Sequence, residues 1–151
     1  MREFTSINEI LDFAIGEEQA AVDFYLHLAT QSRSGETKKI FEEYAREEMR
    51  HKSNLMAIKE NGTFVLPDSK VRDLKIAEYL VDVKPSANMS YQEALILAMK
   101  KEKAAYRMYS KLAEKAEDPS VRTLFLTLAM EESKHKLAFE VEYDEFILKE
   151  N

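Results

Sequence analysis

The segment EEMRH, residues Glu47 to His51, returns as EESKH, residues Glu131 to His135, 84 positions further on. Upstream of each copy lies one more glutamate at the same offset, Glu18 before the first and Glu102 before the second. The offset carries well beyond these residues. Ser6, Glu9, Leu11 and Ala14 pair with Ser90, Glu93, Leu95 and Ala98. Ala20, Ala21, Tyr25 and Leu28 pair with Ala104, Ala105, Tyr109 and Leu112, and Phe41, Ala45 and Glu47 with Phe125, Ala129 and Glu131. Repeats that stack into solenoids have periods of about 20–50 residues. A longer period describes two halves of one structure, each a pair of helices.

Helix punctuation agrees. Ser6 with Glu9, and Ser90 with Glu93, have the spacing of a capping box. The first helix is expected from Ser6 to about Thr30, broken by Ser32-Arg33-Ser34-Gly35. The second runs from about Glu36 to Glu60 and stops at Asn61-Gly62. The third opens at Ser90. The fourth follows Asp118-Pro119, a capping residue with proline at the first helical position, and continues to about Leu148. Residues 63–89 form a long connection with a short helix expected near Arg72 to Leu80. Short loops within each half and one long crossover between halves give an all-α, ferritin-like four-helix bundle of two antiparallel hairpins, one domain over residues 1–151.

Apolar seams identify the buried faces. Leu11, Ala14, Glu18, Ala21, Tyr25 and Leu28 step by alternating threes and fours, and Leu95, Ala98, Glu102, Ala105, Tyr109 and Leu112 repeat that pattern. Phe41, Tyr44, Glu48, His51, Leu55 and Ile58 do the same, as do Phe125, Leu128, Glu132, His135, Phe139 and Glu142. Such stripes face a bundle axis. The seams therefore carry Glu18, Glu48, His51, Glu102, Glu132 and His135 into the core.

Buried carboxylates demand compensation, since an unpaired buried ion costs several kcal/mol. No lysine or arginine lies on the seams. Two divalent cations would balance four carboxylates, with both imidazoles neutral. Residues three apart on a helix lie about 5–6 Å apart at Cβ. Glu48 with His51, and Glu132 with His135, can therefore serve one metal region each. Mixed carboxylate and imidazole donors suit iron or manganese better than calcium or magnesium.

Composition bounds the rest. Of 151 residues, 45% are hydrophobic and 33% charged, enough for a core and suited to long helices. A net charge of −6 argues against nucleic acid as partner. No apolar run approaches the ~20 residues of a membrane span, and the N-terminus has no signal-peptide pattern. A cytoplasmic location without a membrane partner is the expectation. The absence of cysteine excludes disulfides, thiolate metal sites and a thiol nucleophile.

The motifs EEQAAVDFY and EEMRH in one half, with KEKAAYRMY and EESKH in the other, resemble the rubrerythrin branch of the ferritin-like superfamily over most of residues 6–148. That resemblance implies two iron ions held by Glu18, Glu48, His51, Glu102, Glu132 and His135, with manganese or zinc as alternatives. It implies an oxidoreductase that reduces hydrogen peroxide, or dioxygen, and a homodimer. It also suggests that the Tyr25 and Tyr109 phenols hydrogen-bond to ligand carboxylates and assist catalysis. Two features depart from the family. The extra glutamate that rubrerythrins carry one turn after the ligand on the third helix is Ala105 here. The cysteine-bearing rubredoxin-like domain is missing, so electrons must come from a separate donor protein.

Two other readings stand beside this one: a ferroxidase that stores iron, and a metal-dependent module without catalysis. Glu47 and Glu131 could support the histidines, but solvated surface is the stronger expectation. His27 has no repeat partner and reads as surface. The fourth helix is apolar around much of its circumference, through Val121, Leu124, Phe125, Leu126, Leu128, Ala129 and Met130. This predicts a second apolar face, suited to a dimer contact.

Overall fold

A computed structural model describes residues 3–81, 83–86 and 88–150, with the Glu150 side chain left aside. The helices are α1 (Ile7–Gln31), α2 (Gly35–Asn61), α3 (Asp68–Asp73), α4 (Tyr91–Lys115) and α5 (Pro119–Glu150), with a 3-10 turn at Ile76–Tyr79. Among the described residues there is no strand. The fold is an all-α ferritin-like bundle. Helices α1 and α2 pack closely as one antiparallel hairpin and α4 and α5 as another, while the backbones of α1 and α4, and of α2 and α5, stand further apart across a shared core.

The ends of the helices follow local chemistry. The Ser90 side chain accepts from the Glu93 backbone N–H, and the Glu93 carboxylate accepts from the Ser90 N–H at 3.1 Å, which completes the box. At the start of α1 only half the expected box forms. The Ser6 side chain accepts from the Glu9 N–H, but the Glu9 carboxylate instead takes a hydrogen bond from Thr5 Oγ1. Asp118 Oδ1 accepts from the N–H groups of Ser120, at 2.8 Å, and Val121. Gly62 closes α2 in the left-handed region at φ 63°, with its N–H bonded to the Ile58 carbonyl. Helix α2 starts at Gly35, capped by the Ser34 hydroxyl, so this glycine belongs to the helix rather than to the break.

The crossover differs from expectation. A single helix near Arg72 to Leu80 is replaced by α3, an interruption at Lys75 with φ 51°, and the 3-10 turn. The break lets Val71, Leu74 and Ile76 all reach the core. Lys101 holds the following stretch by donating to the Val81 carbonyl at 3.0 Å.

Two apolar clusters fill the bundle. One gathers Leu11, Leu55, Leu112, Phe125 and the crossover residues at one end. The other gathers Leu28, Phe41, Leu95 and Phe139 at the opposite end. The charged residues of the seams lie in the layer between them. The expected apolar stripe along α5 divides in two. Val121, Phe125, Leu128 and Ala129 are buried, whereas Leu126, Met130, Leu137 and Val141 are each more than half exposed.

Candidate metal centre

Each half contributes three side chains to the middle layer. Glu18 comes from α1, Glu48 and His51 from α2, Glu102 from α4, and Glu132 and His135 from α5. All six are 1–2% exposed, and they are the polar or charged side chains counted as buried among the described residues. They form two overlapping groups. One is Glu18, Glu48, His51 and Glu132; the other is Glu48, Glu102, Glu132 and His135. In each group, one donor atom per residue lies within 4.8 Å of all the others. Glu48 and Glu132 belong to both groups, so they stand where a bridging ligand would stand.

Each of the six also presents one buried atom without a hydrogen-bond partner. These are Glu18 Oε2, Glu48 Oε1, His51 Nδ1, Glu102 Oε2, Glu132 Oε1 and His135 Nδ1. Their separations are informative. His51 Nδ1 lies 3.1 Å from Glu132 Oε1 and 3.6 Å from both Glu18 Oε2 and Glu48 Oε1. His135 Nδ1 lies 3.0 Å from Glu48 Oε1 and 3.7 Å from both Glu102 Oε2 and Glu132 Oε1. Ligands bound at about 2.1 Å from a common ion sit about 3.0–3.4 Å apart in octahedral or tetrahedral geometry. The donor set therefore fits a pair of cations, with nitrogen and oxygen donors and no thiolate.

In four of these residues the other polar atom is engaged, and each partner comes from the opposite hairpin. Tyr25 on α1 donates its phenol proton to Glu102 Oε1, and Tyr109 on α4 donates to Glu18 Oε1 at 2.5 Å. His51 Nε2 is 2.5 Å from Glu131 Oε2, and His135 Nε2 is 2.9 Å from Glu47 Oε2. With Nε2–H donating to a carboxylate, a neutral imidazole leaves Nδ1 bare and aimed at the cluster. The reading of Glu47 and Glu131 as solvated surface is therefore corrected. Both are only partly buried, yet both orient an imidazole. Sequence did hold a signal: they share the repeat offset and directly precede Glu48 and Glu132.

One feature breaks the two-fold pattern. The Tyr44 ring lies 4.2 Å from that of His135. The position that matches Tyr44 at the repeat offset is Leu128, which has no ring to offer.

Electrostatics reflects the crowding of acids. Burial pushes the Glu18 carboxyl well above its usual range, and the charge of Glu48 adds to this. Burial likewise raises Glu132, helped by Glu102, Glu48 and Glu18. Burial raises Glu102 as well, against the opposing pull of His135. Burial also acts on Glu48, but the close approach of Glu18, His135 and Glu132, with the charge of His51, outweighs it and holds the group at about 2. His135 is pushed up to about 11, because Glu102 and Glu48 overcome the effect of its burial. Protons thus take the place of missing positive charge, as expected for a site built to receive cations.

His27 is exposed, as expected, although it stands at the rim of a cavity that reaches the cluster. No helix among the described residues is long and apolar enough to cross a membrane. No curated protein and no solved structure matches the chain. The family model for rubrerythrin matches residues 9–143. With a buried carboxylate and imidazole cluster of the diiron type inside a ferritin-like bundle, the chain belongs to the rubrerythrin family.

Proposed function

We propose that the protein is a diiron-carboxylate oxidoreductase that reduces hydrogen peroxide, with dioxygen as the less favoured oxidant. The observation that carries this reading is the set of six unpartnered donor atoms, one from each of Glu18, Glu48, His51, Glu102, Glu132 and His135. In this reading Glu18 and His51 would hold one iron and Glu102 and His135 the other, with Glu48 and Glu132 available to both. When bound, two ferrous ions supply the two electrons by which H2O2 and two protons become two waters.

The chain's own contribution is orientation and exclusion of water. Glu131 and Glu47 fix the imidazole rings through Nε2. Tyr109 and Tyr25 each occupy one oxygen of a terminal carboxylate and leave the other free. Burial pushes the Tyr109 phenol well above its usual value, so it acts as a hydrogen-bond donor rather than a base. The apolar clusters above and below shield the layer from the two ends of the bundle. Electrons return from a donor outside these 151 residues, which hold no cysteine for an iron–sulfur centre.

The test is anaerobic loading with Fe(II), desalting, and assay of iron per chain in wild type and Glu102→Ala. Two irons in wild type, a clear loss in the variant, and consumption of one peroxide per two ferrous ions support the proposal. Near-zero iron in wild type would overturn it. Iron uptake without peroxide consumption would favour storage or a non-catalytic metal module.

A further inference from the structure

A cavity of about 580 Å³ opens between α1 and α4 and runs inward to the cluster. Its floor contains all four buried carboxylates, Glu18, Glu48, Glu102 and Glu132, together with Tyr25 and Tyr109, but neither His51 nor His135. Its walls are apolar and come from both hairpins and the crossover: Phe13, Phe24, Leu80, Val81, Leu97 and Met108. Charged groups lie toward the rim and carry both signs, with Lys84 and Lys101 beside Glu17 and Asp23.

The space exists for a legible reason. One turn after each α1 and α4 glutamate the seam carries only a methyl group, Ala21 after Glu18 and Ala105 after Glu102. Both alanines are partly open although they lie on otherwise buried seams, because both line this cavity. Larger side chains there would close the gap above the carboxylates.

The size does not suit peroxide alone. A water's share of volume is ~30 Å³, and a molecule of two oxygens needs roughly twice that. Sites for organic molecules span about 300–1,000 Å³ and pair apolar walls with a few polar groups. A charged ligand finds no matching surface here, since the rim carries both signs, with Lys101 Nζ 3.5 Å from Glu17 Oε2.

We propose that this cavity binds a neutral, largely hydrocarbon organic molecule, placed against the carboxylate face of the cluster and away from the imidazoles. The proposal rests on the metal-centre reading for what such a molecule does there, but not for its binding.

The test uses 1-aminoanthracene, a neutral fluorescent hydrocarbon amine, titrated into the full chain both metal-free and loaded with redox-inert zinc. Wild type should show saturable binding. The double variant Ala21→Leu with Ala105→Leu should weaken it at least ~tenfold by filling the site, with helicity and zinc per chain unchanged. Leu126→Ser, on the exposed strip of α5, should bind as wild type does. Should the double variant lose helicity, wild type labelled with a photoactivatable aryl azide answers the same question. Labels should then map to residues 13–27, 80–81 and 97–108. Binding that is not saturable, is equal in the filled variant, or is labelled along residues 126–141 overturns the proposal. Zinc binding and probe binding are read separately, so loss of one leaves the other standing.

Discussion

Glu131 touches no candidate metal position, yet it decides which nitrogen of His51 faces the cluster. Its Oε2 also lies 3.5 Å from Arg50 Nη2, which ties the carboxylate to a third group. Partners of this kind change metal affinity by about 10–100-fold when removed. We therefore expect Glu131→Gln to weaken zinc binding by roughly tenfold, with helicity intact, and Glu47→Gln to do the same at His135. Chelator competition at fixed pH measures it; unchanged affinity in both variants would return these glutamates to the solvated surface. Their role was hard to read from sequence, because a seam pattern separates buried from exposed positions and says nothing of a side chain that reaches inward from the edge. The six cluster residues were legible because a carboxylate on a seam is costly unless something balances it. The tyrosine pairings were only half legible, since spacing alone did not say that each phenol serves the opposite hairpin.

The acids and His135 also fix a pH response. Glu18, Glu102 and Glu132 hold protons more tightly in the folded, metal-free chain than in the unfolded one. Their stabilising effect is complete below the ordinary value of 4.5 and is lost as pH rises through their raised values. His135 acts in the same sense, fully below 6.5 and declining toward about 11. Glu48 acts oppositely: its contribution is present above 4.5 and is lost as pH falls toward about 2. The metal-free chain should therefore melt at lower temperature as pH rises from about 6 to about 8, while zinc affinity increases because bound protons must leave. Calorimetry and zinc titration at both pH values check this. Zinc affinity that is flat with pH would mean that the site does not exchange protons for metal.

At the scale of the element, the ends of the helices repeat less faithfully than their middles. The two Ser-x-x-Glu starts are identical in sequence spacing, but only Ser90 and Glu93 bond reciprocally. At α1, a threonine one residue before the cap competes for the glutamate. Removing a capping hydroxyl costs about 1 kcal/mol. For a chain of this size Ser90→Ala should lower the melting temperature by about 2–4 °C. A thermal scan reads it directly, and no shift would mean that the box adds nothing to α4. The crossover shows the opposite limit of sequence reading. Its apolar residues suggested one helix, but no regular helix directs Val71, Leu74 and Ile76 into one core. A left-handed Lys75 resolves the conflict, and a lysine at that position gives no advance sign of it.

Across the whole molecule, α5 serves two surfaces. Its inner face closes the bundle, and its outer face leaves Leu126, Met130, Leu137 and Val141 in water. Patches of this kind mark association surfaces. We expect a homodimer through this strip, with Leu137→Glu shifting the protein to monomer in sedimentation or size exclusion while metal content stays unchanged. A monomeric wild type would leave the strip without this role, and a large shell would point to storage.

The bonds from Tyr25, Tyr109, Glu47 and Glu131 to the cluster all reach from one hairpin to the other, and the apolar clusters on either side are common to both hairpins. The centre thus works as a clasp. A protease that nicks the crossover between Pro67 and Met89 should release nothing while the clasp is shut: the two fragments stay together and migrate as one. Addition of a chelator takes away the metal's share of the clasp, and the nicked pair should then melt at lower temperature, still held by apolar clusters common to both hairpins.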